Sequence, residues 1–216
     1  GMTENYSILL HLPYTFDLHR FVEGGMSFGW EPDRKARFGV IPRFGTEVQW
    51  FEGPPCYIFH ILNAYEEGDE IVMHAPRLEQ TRIMDRTAGW FGEEDPLTEL
   101  EGGDWAGRMH EWRFNLKTGE LTERSLDSVF VDFPQIPSAL AGRPHRYGYS
   151  VRLCDQRGRE PAMFDGIVKH DFHTGRHDFF SFGPECFGHE CAVVSKPNAT
   201  QEDEVWLITF IYDEFH

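Results

Sequence analysis

With 216 residues, 40% of them apolar and 15% aromatic, the chain is long enough to bury a core and too apolar to be disordered. A formal net charge of −16 leaves no basic stripe to neutralise phosphates or anionic headgroups, which argues against nucleic acid and against electrostatic docking on lipid; the acid excess reads as a solvated surface. No apolar run approaches a membrane span, and no signal peptide, phosphate-cradling glycine loop or Gly-x-Ser-x-Gly elbow is visible.

In chain order, residues 3–12 read as a strand ending at Pro13. Phe16 to Phe28 reads as a loop or short helix with a Gly24-Gly25 break, and Trp30 to Arg34 as a turn. Arg37 to Arg43 and Val48 to Phe51 are further strands. Tyr57 to Glu66, the turn Glu67-Gly68-Asp69 and Ile71 to Met73 form a hairpin. Residues 74–108 are rich in charge and glycine and read as an irregular insertion within one domain spanning 1–216.

Two later segments share a plan. Glu111 to Glu123 is strand, Thr118-Gly119 turn, strand; Gly166 to Asp178 repeats it around Thr174-Gly175. The two turn glycines lie about 56 residues apart, close to the repeat of a propeller blade. Val193 and Val194, then Trp206 to Tyr212, supply more strand. With no long amphipathic helix, the fold expectation is all-β, as blades of a β-propeller. Cys56, Cys154, Cys186 and Cys191 form no Cys-x-x-Cys pair and no zinc spacing; reduced, structural thiols in a cytoplasmic protein are expected.

A histidine buried in the Tyr57–Glu66 strand, His60, must satisfy both ring nitrogens, either in the core or by binding a metal; its spacing leaves both readings open. By local pattern, Asp132 is a turn residue before Phe133-Pro134, and Glu190 a solvent-facing strand carboxylate. Of the other histidines, His145 sits in a turn and His170, His173 and His177 in an outer hairpin. His189 stands beside Glu190, and His11, His19, His74 and His110 read as surface or loop residues.

Phe59-His60-Ile61-Leu62-Asn63-Ala64-Tyr65-Glu66 resembles the segment of the carotenoid cleavage oxygenases (carotenoid and stilbene dioxygenases) that supplies one of four iron-binding histidines. The resemblance extends through Thr3-Glu4-Asn5-Tyr6, Arg37 to Arg43, and Trp112 to Leu116 with Thr118-Gly119. It continues through Asp132-Phe133-Pro134, Gly142 to Tyr149, His189 to Val194 and Glu202 to Asp213. It implies a seven-bladed β-propeller with Fe(II) on its axis. It also implies insertion of dioxygen across an alkene of an apolar polyene or stilbene-like compound, giving two carbonyl products. On this resemblance His60 is a metal ligand. Glu190 and Asp132 fall on carboxylates that hold liganding imidazoles. Asp132 stands where the family has glutamate, so a water-bridged or lost contact is expected.

The family's other three ligands have no counterpart in this chain. Two belong before Gly1 and one in a final strand beyond Asp213; the terminal Phe215-His216 arrives too soon to be that strand. The expectation is therefore a fragment, the central blades of a dioxygenase, binding iron weakly and inactive alone. The alternative is a non-catalytic partial propeller that binds a ligand or self-associates through open blade edges. A third possibility, a lactone-hydrolase-like propeller, needs carboxylates converging on calcium, and no such set is present.

Overall fold

A computed structural model describes residues 1–23, 27–81, 106–154 and 163–213. Near the amino terminus, Thr3 N and Tyr6 O close a turn at 2.8 Å. The first strand, β1 (Tyr6–His11), therefore starts later than residue 3. It pairs antiparallel with β4 (Ala36–Pro42), which pairs with β5 (Gln49–Gly53) in a three-stranded sheet. Between them β2 (Tyr14–Phe16) and β3 (Phe28–Trp30) form a hairpin. The intervening segment carries a single helical turn, α1 (Leu18–Val22), started by the Asp17 side chain accepting from His19 N at 2.8 Å. The Gly24-Gly25 break lies outside the described residues.

The second sheet has nine strands. In chain order they are β6 (Asn63–Glu67), β7 (Glu70–Arg77), β8 (Gly107–Asn115), β9 (Leu121–Gln135), β10 (Tyr147–Leu153), β11 (Phe164–Asp171), β12 (Arg176–Ser181), β13 (Cys186–Gly188) and β16 (Ile211–Asp213). A separate hairpin joins β14 (Ala192–Ser195) to β15 (Val205–Ile208). The expected run from Trp206 to Tyr212 is thus two strands, in different sheets. The long β9 pairs with β8 from Leu121 to Val131 and with β10 from Val131 to Gln135, with a register shift in each pairing. Such shifts bend the strand and add twist. The result is all-β, a curled succession of antiparallel meanders that forms part of a β-propeller.

The two hairpins that look alike in sequence use the same turn. Gly119 and Gly175 both take left-handed φ, +76° and +68°, and donate to Asn115 O and Asp171 O at 2.9 Å. Asn115 Oδ1 and Asp171 Oδ1 each accept from the backbone amides two and three residues further on. The irregular insertion expected over 74–108 does not take in its two ends. Residues 74–77 belong to β7 and 107–108 to β8. The acidic runs at 93–96 and 101–104 lie outside the described residues.

The main core lies between the two sheets. Phe38 and Phe51 from β4 and β5 meet Trp112 and Phe114 from β8, with Phe38 and Phe51 rings both 5.3 Å from Phe114. β7 is buried on both faces: Ile71, Met73 and Ala75 enter this core, while Val72 and His74 turn the other way.

Candidate metal centre

His60 does not lie in a strand. It occupies the connection between an isolated bridge at Tyr57 and the start of β6, and its side chain is 45% exposed. This corrects the buried-strand expectation. The ring is nonetheless fixed. Its Nδ1 lies 3.0 Å from Asp132 Oδ1, and the Phe133 ring lies 4.7 Å away. Asp132 is buried at the second half of β9 and accepts from Phe133 N at 2.7 Å through the same Oδ1. The shorter aspartate therefore reaches His60 directly, contrary to the expected water bridge or lost contact. The Asp132 hydrogen bond raises the His60 pKa above the ordinary imidazole value; partial burial opposes it, and the charges of Asp132 and Glu190 add to it. Neutral His60 donates from Nδ1 to Asp132, which leaves the lone pair on Nε2. An imidazole oriented this way by a carboxylate is a prepared metal ligand.

Glu190 is exposed, in the connection between β13 and β14, and its charge is felt at His60. Its own backbone carbonyl accepts from the Thr209 hydroxyl at 3.1 Å. Among the described residues, no group of three or more His, Cys, Asp or Glu is placed to hold a metal. His60 thus fits a metal as one ligand, with Asp132 behind it, and the described residues do not close a site around it.

Several histidines assigned to the surface are buried. His74, on the second buried face of β7, is 1% exposed and bonds Glu111 Oε2 through Nε2 at 3.1 Å. Its Nδ1 lies 3.2 Å from His145 Nε2, and His145 Nδ1 lies 3.1 Å from Asn63 Nδ2. His145 is therefore no simple turn residue; burial, followed by the neighbouring His74, depresses its pKa to about 3. Burial lowers His74 as well, against the Glu111 hydrogen bond. His170 is 3% exposed, with Nδ1 2.9 Å from Asp127, although His173 and His177 of the same hairpin are exposed as expected. His110 sits within β8 against Trp112, with its pKa lowered to about 4 by burial and then by Arg77. The sequence signal missed was the run Ile71 to Met73: continued to Arg77, it describes a strand buried on both faces, on which His74 must be an interior residue.

The backbone at Phe133 was not anticipated. Its φ of +49° is unusual for a bulky residue and sits directly beside the His60–Asp132 pair.

The whole chain is similar to known proteins. The family model described as RPE65, Retinal pigment epithelial membrane protein, matches residues 1–216. The chain is 35% identical over 233 aligned positions to the carotenoid 9,10(9',10')-cleavage dioxygenase 1 of Pisum sativum, covering 99% of this chain and 41% of that protein. It is 28% identical to the apocarotenoid-15,15'-oxygenase of Synechocystis, over 98% of this chain and 42% of that one. The crystal structure of cobalt-substituted Synechocystis ACO superposes with a TM-score of 0.83 at 23% identity, covering 99% of this chain and 44% of that chain, which supports the fold. The chain thus spans about two fifths of the length of the curated relatives it matches. It belongs to the RPE65 family, that of the carotenoid cleavage oxygenases.

Proposed function

We propose that this chain supplies the central blades, and one ligand of the Fe(II) centre, of a dioxygenase that cleaves a carbon–carbon double bond in a carotenoid, apocarotenoid or stilbene-like compound to two carbonyl products. The observation that carries the reading is His60: half-exposed, fixed through Nδ1 by the buried Asp132, with Nε2 left to bind. When bound, a ferrous ion with neutral nitrogen ligands and open positions supplies dioxygen binding. Asp132 holds the His60 ring and its tautomer. Glu190, whose charge adds to that of Asp132 at His60, would serve to orient a ligand that comes from outside the described residues. With one ligand among the described residues, the chain by itself binds iron weakly and turns nothing over. Four free thiols accord with a reducing, cytoplasmic setting; none of the described helices is long and apolar enough to cross a membrane.

The test is an anaerobic Fe(II) titration of the chain, followed by paramagnetic broadening of its histidine and aromatic signals. His60 and Phe133 should broaden first, and His60→Ala should abolish the effect. Broadening that is spread over other histidines and survives in His60→Ala would remove His60 from the centre.

A second reading, self-association, is favoured by one feature. Trp206, Ile208, Phe210 and Tyr212 are each at least half exposed near the carboxyl end, and β12 is exposed along its whole length. Sedimentation over a concentration series separates the two: a concentration-dependent dimer supports self-association, and a monomer throughout rejects it.

A further inference from the structure

Asn63 stands three residues after His60 and spends its whole side-chain amide on the connection between β9 and β10. Its Nδ2 lies 3.3 Å from Leu140 O, 2.9 Å from Arg143 O and 3.1 Å from His145 Nδ1. Its Oδ1 accepts from Gly142 N at 2.9 Å.

The orientation of that amide, set by backbone groups at 140–143, agrees with a proton order that starts farther away. Glu111 is an anion held by Arg113 and Arg124, at 3.0 and 2.8 Å, so it can only accept. His74 must therefore carry its proton on Nε2, towards Glu111. A neutral His74 then offers Nδ1 as an acceptor, and His145 must donate to it from Nε2. His145 Nδ1 is left as an acceptor, so the Asn63 atom facing it must be the NH2 group. The outcome is checked by groups whose roles never change. The two carbonyls lie on the NH2 side of Asn63 and the Gly142 amide lies on its oxygen side. With two amide protons for three acceptors around Nδ2, one proton is shared, and the order from Glu111 reaches Asn63 through that shared contact.

The segment bearing His60 is thereby fastened to the chain that carries Asp132 at two points, His60–Asp132 and Asn63–(140–145). Between them Leu62 packs with Val131 and Ile136, and Leu62 N donates to His74 O at 2.9 Å. We infer that Asn63 is a positioning residue for His60, setting its ring against Asp132, and that the buried chain Glu111–His74–His145 reinforces the amide orientation that the backbone at 140–143 sets. The inference rests on the reading of His60 as a ligand.

The test uses the metal-free chain labelled with ¹⁵N-histidine, at a pH where His60 is neutral. Bonding to Asp132 should hold His60 as the Nδ1–H tautomer, whereas free imidazole favours Nε2–H. Long-range ¹H–¹⁵N correlations report which form is present. Asn63→Ala should destroy the single-tautomer signature of His60 and weaken Fe(II) binding by no more than the about 10–100-fold expected for removing a carboxylate bonded to the ligand itself. His145→Phe keeps a ring beside Tyr65 and Phe172 but breaks the proton order; it should shift the His60 tautomer by a smaller amount, because Asn63 retains its backbone bonds. A lowered thermal midpoint with His60 still wholly Nδ1–H in Asn63→Ala would overturn the inference. Should Asn63→Ala not fold, an unchanged tautomer in His145→Phe would overturn it. Because the tautomer is read without metal, failure here is separate from failure of the Fe(II) titration.

Discussion

The ring of Phe133 lies 4.7 Å from that of His60 while its own amide donates to the Asp132 carboxylate, so one residue braces both members of the pair. Its left-handed φ of +49° costs a bulky side chain on the order of 1–3 kcal/mol. Phe133→Gly removes that strain and the ring together. The expected result is a small net change in stability, within about 1 kcal/mol by urea denaturation, accompanied by faster ring motion at His60 in NMR relaxation. A large loss of stability with His60 dynamics unchanged would show that the ring matters only to packing.

Asp132→Asn keeps the shape and removes the charge. The amide can still accept from His60, but more weakly, so Fe(II) affinity should fall about 10–100-fold, measured by competition with a chromophoric chelator. Asp132→Ala should cost at least as much. Equal affinity in all three chains would assign Asp132 to the turn alone.

Acid should destabilise the fold through the buried histidines. Burial and then His74 hold His145 down to about 3, and burial lowers His74 too. Below about pH 6.5, the ordinary imidazole value, the unfolded chain takes up protons that the folded one refuses, so stability falls as pH falls. Each histidine contributes up to ~1.4 kcal/mol per pH unit, and for His145 the window extends down to about pH 3. Burial pushes Glu111 up, but hydrogen bonds from His74, Arg124 and Arg113 outweigh it and hold the carboxyl well below its usual range. That contribution is present above about pH 4.5 and is lost as pH falls through the depressed value, in the same direction. Urea denaturation between pH 7.5 and 5 should show this slope, flattened in His145→Phe; an identical slope in that variant would place the acid sensitivity elsewhere.

Glu66 ties the amino terminus to β6. Its carboxylate accepts from Thr3 Oγ1 at 2.5 Å, Asn5 N at 2.8 Å and Asn5 Nδ2 at 3.0 Å. Glu66→Ala should cost about 1–2 kcal/mol and should show first as faster amide exchange in β1. Exchange that rises evenly over both sheets would mean the bond is not local in its effect.

At the core, Phe114 contacts both Phe38 and Phe51 and is fully buried. Phe114→Ala should cost about 3–5 kcal/mol, read as a lower urea midpoint. A loss under 1 kcal/mol would mean the two sheets are held together elsewhere.

Much of this protein is written in short stretches. The hairpin turns at Gly68, Gly119 and Gly175, the strand at Arg37–Arg43 and the alternation along β8 depend on residues a few positions apart, so local pattern reports them. The segment Phe59 to Glu66 likewise announces itself, because His60, Asn63 and Glu66 stand at fixed spacing in one stretch of chain. Their partners do not. His60 meets Asp132 across 72 positions, Asn63 meets a connection some 80 residues away, and Glu66 reaches back to Thr3. Whether a histidine is surface or core, as with His74, His145 and His170, depended on which blade lay against it. Local order follows from neighbours in the chain, whereas burial and the pairing of these polar groups follow from how distant strands pack, and no local periodicity carries that information.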